Sequence, residues 1–116
     1  FKPPFSQTAQ LLSKRDFMGA FVRLEQQERK LPENDTLRFL KGYCLLEMGE
    51  GGDALRYFDQ LEVNQPNWKP QLQWYRGLGL LLTGDVKKAR PLFREMAATP
   101  GHPFRQQSQK ALELLK

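Results

Sequence analysis

Apolar residues recur along the chain with helical spacing, in stretches separated by proline, glycine and asparagine. The strict alternation of apolar and polar residues that marks a half-buried strand is not found. The chain has 116 residues, which is enough for one domain with its own core. We therefore predict an all-α protein with seven helices, near residues 5–14, 17–30, 35–48, 52–63, 70–83, 86–98 and 103–115.

The same small and apolar residues return at a fixed distance along the chain. Six identities are separated by 35 residues: Gly42 and Gly77, Leu45 and Leu80, Leu46 and Leu81, Gly49 and Gly84, Ala54 and Ala89, and Phe58 and Phe93. A weaker copy lies 34 residues upstream, with matches at Leu11, Ala20, Leu24 and Pro32. An acidic residue has the same place in all copies: Asp16, Glu50 and Asp85. This period predicts a helical repeat protein.

Each copy carries the signals for a pair of helices. A glycine, Gly49 or Gly84, suits the end of the first helix. The acidic residue after it suits the start of the second helix through capping and the helix dipole. The alanine of the second helix permits close approach of two backbones, and the aromatic residue one turn later fills the space beside it. A proline, such as Pro66, then ends the pair.

This pattern resembles the tetratricopeptide repeat family, whose motif of about 34 residues combines a glycine, an alanine, an aromatic residue and a proline. The matching residues are Gly42, Ala54, Phe58 and Pro66, then Gly77, Ala89, Phe93 and Pro100. The resemblance implies one domain over residues 1–116, a right-handed α-α superhelix of three helix hairpins with a C-terminal capping helix. The repeats cover about residues 1–34, 35–69 and 70–104, and the capping helix covers 103–115.

Several residues depart from the family motif. Thr8 stands where the other copies have a glycine, and Lys41 and Arg76 replace apolar residues. Pro91 predicts that the sixth helix is kinked or starts late. Gly51 and Gly52 weaken the start of the fourth helix. The last helix is amphipathic and is interpreted as a cap with a polar outer face; the alternative is the first helix of a fourth repeat.

The resemblance also implies a binding surface. In the family, the first helix of each hairpin lines the concave side of the superhelix, which is the usual binding face. The matching positions are Thr36, Phe39, Tyr43, Glu47, Gln71, Trp74 and Leu78. Because aromatic residues are common binding anchors, we predict a non-catalytic groove for an extended or helical segment of a partner protein. The alternative is that the aromatic residues, Trp74 above all, pack adjacent repeats together.

One known use of the family, a clamp for a peptide carboxylate, is not expected. It needs lysine or asparagine side chains in the groove. The matching positions hold Phe5, Ala9, Leu40, Gln71 and Tyr75.

The net charge of +5 supports a second hypothesis. A basic convex face would attract RNA or an anionic membrane surface. Its residues are Arg56, Lys87, Lys88, Arg90 and Arg94. The alternative is a solvated helix face, and the lack of interleaved aromatic residues argues against nucleic acid. A third hypothesis is an architectural domain that self-associates or scaffolds a membrane complex. We expect a monomer or a weak homodimer in solution.

The sequence offers no constellation for catalysis, a cofactor or a metal. Cys44 lies on the apolar face of the third helix, so we expect a small core residue. A single cysteine also permits no disulfide within the chain. His102 lies in a turn, where we expect a solvated residue or a start signal for the last helix. One cysteine and one histidine do not make a metal site.

The segments at the two ends bear on location. No apolar run approaches the roughly 20 residues that span a membrane. The chain begins at Phe1, so we expect either a trimmed longer protein or a preceding signal or anchor. The starting segment and the segment from Pro100 to Gln107 are similar to bacterial repeat proteins that carry a membrane helix before the repeats. This implies a soluble domain of a membrane-anchored bacterial protein; the alternative is a cytoplasmic protein.

Overall fold

The computed structural model describes residues 6–32, 34–61 and 69–115. Of the described residues, 77% are helical and none lies in a strand, so the predicted all-α class is confirmed. The described helices are α1 (Ser6–Ser13), α2 (Phe17–Glu28), α3 (Asp35–Glu47), α4 (Gly51–Asp59), α5 (Lys69–Leu82), α6 (Val86–Ala98) and α7 (Arg105–Leu114). None of these helices is both long and apolar enough to cross a membrane.

The chain divides into two compact units, residues 1–61 and 62–116. In the first unit, α1 packs against α2, α2 against α3, and α3 against α4. In the second unit, α6 packs against both α5 and α7. The single domain expected from sequence stays a prediction. The expected turn at Pro66 and the position of Phe5 lie outside the described residues.

The core of the first unit lies where α2 meets α3. The spacing of its apolar residues follows the helical period, so each helix buries one stripe. Its fully or nearly fully buried members are Phe17, Ala20, Leu24, Leu37, Leu40 and Cys44. The predicted core position of Cys44 is confirmed, since its exposure is 0%.

Two glycines let an aromatic ring lie directly on a helix backbone. A Cβ built on Gly42 would stand 2.6 Å from Cε1 of Phe58, and one built on Gly77 would stand 2.9 Å from Cζ of Phe93. Both rings are completely buried. At the equivalent positions of the first copy, the chain has Thr8 and Leu24, both also completely buried. A smaller side chain on the second helix thus accompanies a larger one on the first.

The three turns that join α1 to α2, α3 to α4 and α5 to α6 have the same hydrogen-bond pattern. The amide of Glu50 donates to the carbonyl of Leu45 (2.8 Å), and that of Gly49 donates to Leu46 (3.0 Å). These two hydrogen bonds form a Schellman motif, which needs a residue with positive φ. Gly49 and Gly84 provide it with φ of 84° and 83°. In the first copy Arg15 takes this conformation, with φ of 60°.

The acidic residues that follow these turns cap the next helix in two of three cases. The Asp16 carboxylate accepts from the amide of Gly19 (2.9 Å), and Asp85 accepts from Lys88 (3.2 Å). Glu50 makes no side-chain cap bond, so the expectation of a cap there is wrong. Glutamate is one methylene longer than aspartate and is not among the favoured capping residues.

The helix starts resolve two other expectations. α6 begins at Val86 and runs through Pro91, so the late start is wrong. The Asp85 cap fixes this start. α4 begins at Gly51, one residue before the predicted start, and this glycine is buried.

The core of the second unit lies on α6. Its buried members are Ala89, Phe93 and Met96, against which residues of α5 and α7 pack. From α7 and the turn before it come Phe104, Ala111, Leu112 and Leu115. The other positions of α7 are mostly exposed polar residues, and Leu114 is 87% exposed. One apolar face toward α6 and a polar outer face are what we expect of a capping helix.

Candidate functional site

Three of the four predicted groove residues of α3 are partly buried, and two of these contact the core. The Tyr43 ring meets Phe17 edge-on, with centroids 6.0 Å apart. The Phe39 ring lies 5.9 Å from Phe58. Thr36 is half-buried in the first turn of the helix. Tyr43 and Phe39 therefore stabilise the first unit while keeping part of their surface exposed.

The C-terminal end of α3 carries a charged and aromatic surface. Glu47 is exposed and pairs with Arg15 at 3.5 Å. The Arg15 guanidinium also lies 5.3 Å from the centre of the Phe17 ring. The ring that supports Tyr43 therefore also supports the cation that pairs with Glu47. Exposed pairs of this kind contribute little stability, at most about 1 kcal/mol.

Trp74, on α5, lies between two other aromatic rings. It stacks on Phe104 with centroids 5.1 Å apart and planes 1° apart. Its edge contact with Phe93 is 5.7 Å between centroids. Such pairs add about 0.5–1.5 kcal/mol beyond burial. Trp74 thus joins α5, α6 and the turn before α7, as the packing alternative expects.

The two remaining groove residues of α5 are half-buried. Leu78 lies one turn after Trp74. The side-chain oxygen of Gln71 is buried and has no hydrogen-bond partner among the described residues. A buried acceptor without a partner is uncommon and costs about 1–3 kcal/mol.

His102 belongs to a polar network rather than to a solvated loop. Its Nδ1 accepts from the amide of Phe104 (3.1 Å), and its Nε2 lies 3.0 Å from Oε1 of Gln73. Gln73 in turn donates to Glu95 (3.3 Å). Burial lowers the pKa of His102, and the nearby Glu95 carboxylate opposes this. The neutral ring therefore fixes the start of α7, so the expectation of a start signal for the last helix is correct.

Lys41 is a buried charge whose role the sequence did not reveal. Its side chain is 4% exposed, and Nζ lies 3.3 Å from Glu28 and 4.0 Å from Glu25 of α2. The Nζ atom also lies 4.6 Å from the centre of the Tyr57 ring on α4. Burial alone would lower the pKa of Lys41, but contacts with Tyr57 and Glu28 outweigh it and raise the pKa.

This arrangement gives Lys41 a structural role. A lysine with a raised pKa stays protonated at neutral pH, so it is not a nucleophile there. Its partners lie on the helices before and after its own, and it therefore links α2, α3 and α4. The only sequence signal for this role was that a basic residue stands where the tetratricopeptide motif has an apolar one.

The thiol of Cys44 is not poised for chemistry. Burial raises its pKa to about 12, and Glu47 contributes in the same direction. A nucleophilic cysteine needs a lowered pKa and an accessible sulfur. Among the described residues, no three metal-ligating side chains lie close enough together to hold an ion.

The residues of the predicted basic face do not behave as one set. Arg56 lies in the first unit and pairs with Asp53, and Lys88 pairs with Asp85 at 3.8 Å. Lys87 and Arg94 are exposed on α6. Arg90 is half-buried.

No family model matches the chain, and a search of solved structures finds no match either.

Proposed function

We propose that the chain is a stack of three tetratricopeptide-like hairpins capped by α7, and that it binds a segment of a partner protein. The hydrogen-bond pattern and positive φ shared by the turns at Arg15, Gly49 and Gly84 support the stack. So do the two equivalent contacts of a glycine with an aromatic ring, at Gly42 and Gly77. Structural units that recur with the sequence period are the basis of helical repeat proteins.

The proposed binding surface is the exposed side of the first helices, α3 and α5. The observation that carries it is the side-chain oxygen of Gln71, which has no hydrogen-bond partner among the described residues and lies at a position derived independently from the repeat register. Main-chain amides of a bound segment are donors of the required kind. On α3, Thr36 and Glu47 add a hydroxyl and a carboxylate, and Tyr43 adds partly exposed aromatic surface.

Binding is a better account than catalysis for physical reasons. The Cys44 thiol is completely buried. The Nδ1 of His102 is already an acceptor for a backbone amide, and its Nε2 lies against Gln73. Neither group is available to a substrate, and both are explained by the local structure.

Site-specific photo-crosslinking in cells of the source organism would test the proposal. A benzophenone amino acid is placed at Thr36 or Gln71, and for comparison at Gln26 and Gln107, which are exposed on α2 and α7. We expect the same partner protein to be captured from Thr36 and Gln71 and not from the control positions. Circular dichroism checks that each variant is helical.

Two results would count against the proposal. Equal capture from the control positions would show that the first-helix face is not the site. Capture of a second copy of this chain would favour self-association instead. Replacing Trp74 is a poor test, since its stacking on Phe104 makes loss of binding and loss of folding hard to separate.

A further inference from the structure

α6 presents a basic face made of three side chains. Lys87, Arg90 and Arg94 lie three and four residues apart, so they share one side of the helix. Within the described part of the chain, none of the three forms an ion pair. Lys88, which points to another side of α6, has Asp85 at 3.8 Å. The described residues therefore leave the positive charge on the shared side uncompensated.

This basic face borders a groove between α6 and α7. Arg90 and Arg94 form one wall, and Leu112 and Leu115 form the other. The groove has a volume of about 380 Å³, at the lower end of the range of ligand pockets. The Arg90 guanidinium donates to the carbonyl of Leu115 (2.5 Å), so its position in the wall is fixed.

The two walls would bind two kinds of group in one ligand, an acidic group and an apolar group. Guanidinium groups match carboxylates in a planar, two-bond geometry. The half-buried leucines offer an apolar surface to a side chain of the ligand, and Leu114 beside them is 87% exposed. Recognition of acidic motifs by arginine clusters, and of apolar anchors by grooves, are both common modes of peptide binding.

We propose that the α6–α7 groove docks an acidic segment of a partner protein. An apolar side chain of that segment lies against Leu112 and Leu115, and its carboxylates contact Arg94 and the free side of Arg90. This surface lies on α6 and α7, apart from the α3 and α5 positions of the proposed function, and its argument does not depend on them.

Other occupants fit less well. Among the described residues, the groove walls contain no aromatic ring on which a nucleotide base would stack. Lipid surfaces attract clusters of about four to eight basic residues, and this face has three. In a symmetric pair of chains the same patch meets itself, so Arg90 and Arg94 would face like charges.

The experiment measures the fluorescence anisotropy of a labelled peptide in which glutamate and leucine residues are placed at helical spacing. The same peptide with lysine in place of glutamate is the probe control. We expect the protein to bind the glutamate peptide and not the lysine peptide. Arg94→Glu should weaken binding about tenfold or more, because a charge-assisted hydrogen bond contributes about 1.5–3 kcal/mol. Arg94 is exposed, so its replacement leaves the core intact.

Lys88→Glu is the matched variant, with the same charge change on another side of α6. It should leave binding within about twofold, since exposed pairs contribute little. No binding of the glutamate peptide by the unaltered protein would overturn the proposal, and so would equal loss in the two variants. Binding of a single-stranded RNA or of phosphatidylserine vesicles through Arg94, without peptide binding, would also overturn it. Crosslinking from Thr36 and Gln71 should be unchanged by Arg94→Glu, which separates this surface from the proposed function.

Discussion

Replacing Gly42 with alanine tests the contact between the two helices of a hairpin. The new Cβ would lie 2.6 Å from Cε1 and 3.0 Å from Cδ1 of Phe58. Carbon atoms normally pack at about 3.5–4.0 Å, so the overlap is about 1 Å. Because Phe58 is completely buried, its ring has no solvent-filled space to enter.

The size of the effect follows from two opposing terms. Overpacking a core costs about 1–3 kcal/mol. Alanine in place of glycine within a helix contributes about 1 kcal/mol in the other direction. We therefore expect Gly42→Ala to lower the free energy of unfolding by about 1 kcal/mol. Gly77→Ala should do less harm, because the nearest atom of Phe93 is 2.9 Å from the new Cβ.

A double-mutant cycle isolates the steric term. Phe58→Leu shortens the side chain opposite Gly42, and Thr8 and Leu24 show that the chain itself uses such a pair in its first copy. In the Phe58→Leu background, Gly42→Ala should be neutral or stabilising. The coupling energy between the two sites should be about 1–3 kcal/mol.

Urea unfolding followed by circular dichroism measures each corner of the cycle. Gly52→Ala is the control, since Gly52 is an exposed glycine of α4. It should stabilise the protein by up to about 1 kcal/mol. A coupling energy near zero, or destabilisation of equal size at Gly52, would refute the argument from ring packing.

Three further predictions concern the turns and the single histidine. Because Arg15 has positive φ, Arg15→Gly should be more stable than Arg15→Ala by about 1 kcal/mol in thermal or urea unfolding; equal stabilities would contradict the strain. Glu50→Asp should add the missing cap bond and stabilise the protein by about 0.5–1 kcal/mol in the same assay, and no change would mean that the shorter carboxylate does not reach the amide. The NMR titration of His102, the only histidine, should give a pKa below 6.5, because burial favours the neutral ring. The contribution of the neutral His102 ring to the free energy of unfolding is then fully present above pH 6.5, and it is lost as the pH drops from 6.5 to the folded-state pKa. His102→Gln should remove this part of the pH dependence. A pKa at or above 6.5 would contradict the assigned network.

Local sequence signals predicted the helices and most of their ends. Gly49 and Gly84 marked two turns because positive φ favours glycine, and the aspartates Asp16 and Asp85 marked two caps. Arg15 adopts the same turn without a turn-forming side chain, so it was not predicted; only its register with the glycines could have indicated it. Glu50 has the charge of a capping residue but not the geometry.

The polar contacts between helices could not be predicted in the same way. Lys41 meets Glu28 across 13 residues, and His102 meets Gln73 across 29. Such pairs depend on how helices pack, which a helical period does not specify. The stacking of Trp74 on Phe104 has the same origin. The sequence placed Trp74 at a predicted groove position, and the structure shows that its ring packs on other aromatic rings.

The distance between α3 and α5 is the most direct test of the proposed stack. Glu47 and Leu82 are both exposed and are related by the 35-residue period. Spin labels at Glu47→Cys and Leu82→Cys, with Cys44→Ala to remove the native thiol, report their separation by pulsed electron resonance. A stack predicts one narrow population at the short distance of packed helices, whose axes lie about 8–10 Å apart. A broad distribution would show that the two units move independently, and would contradict a shared binding groove.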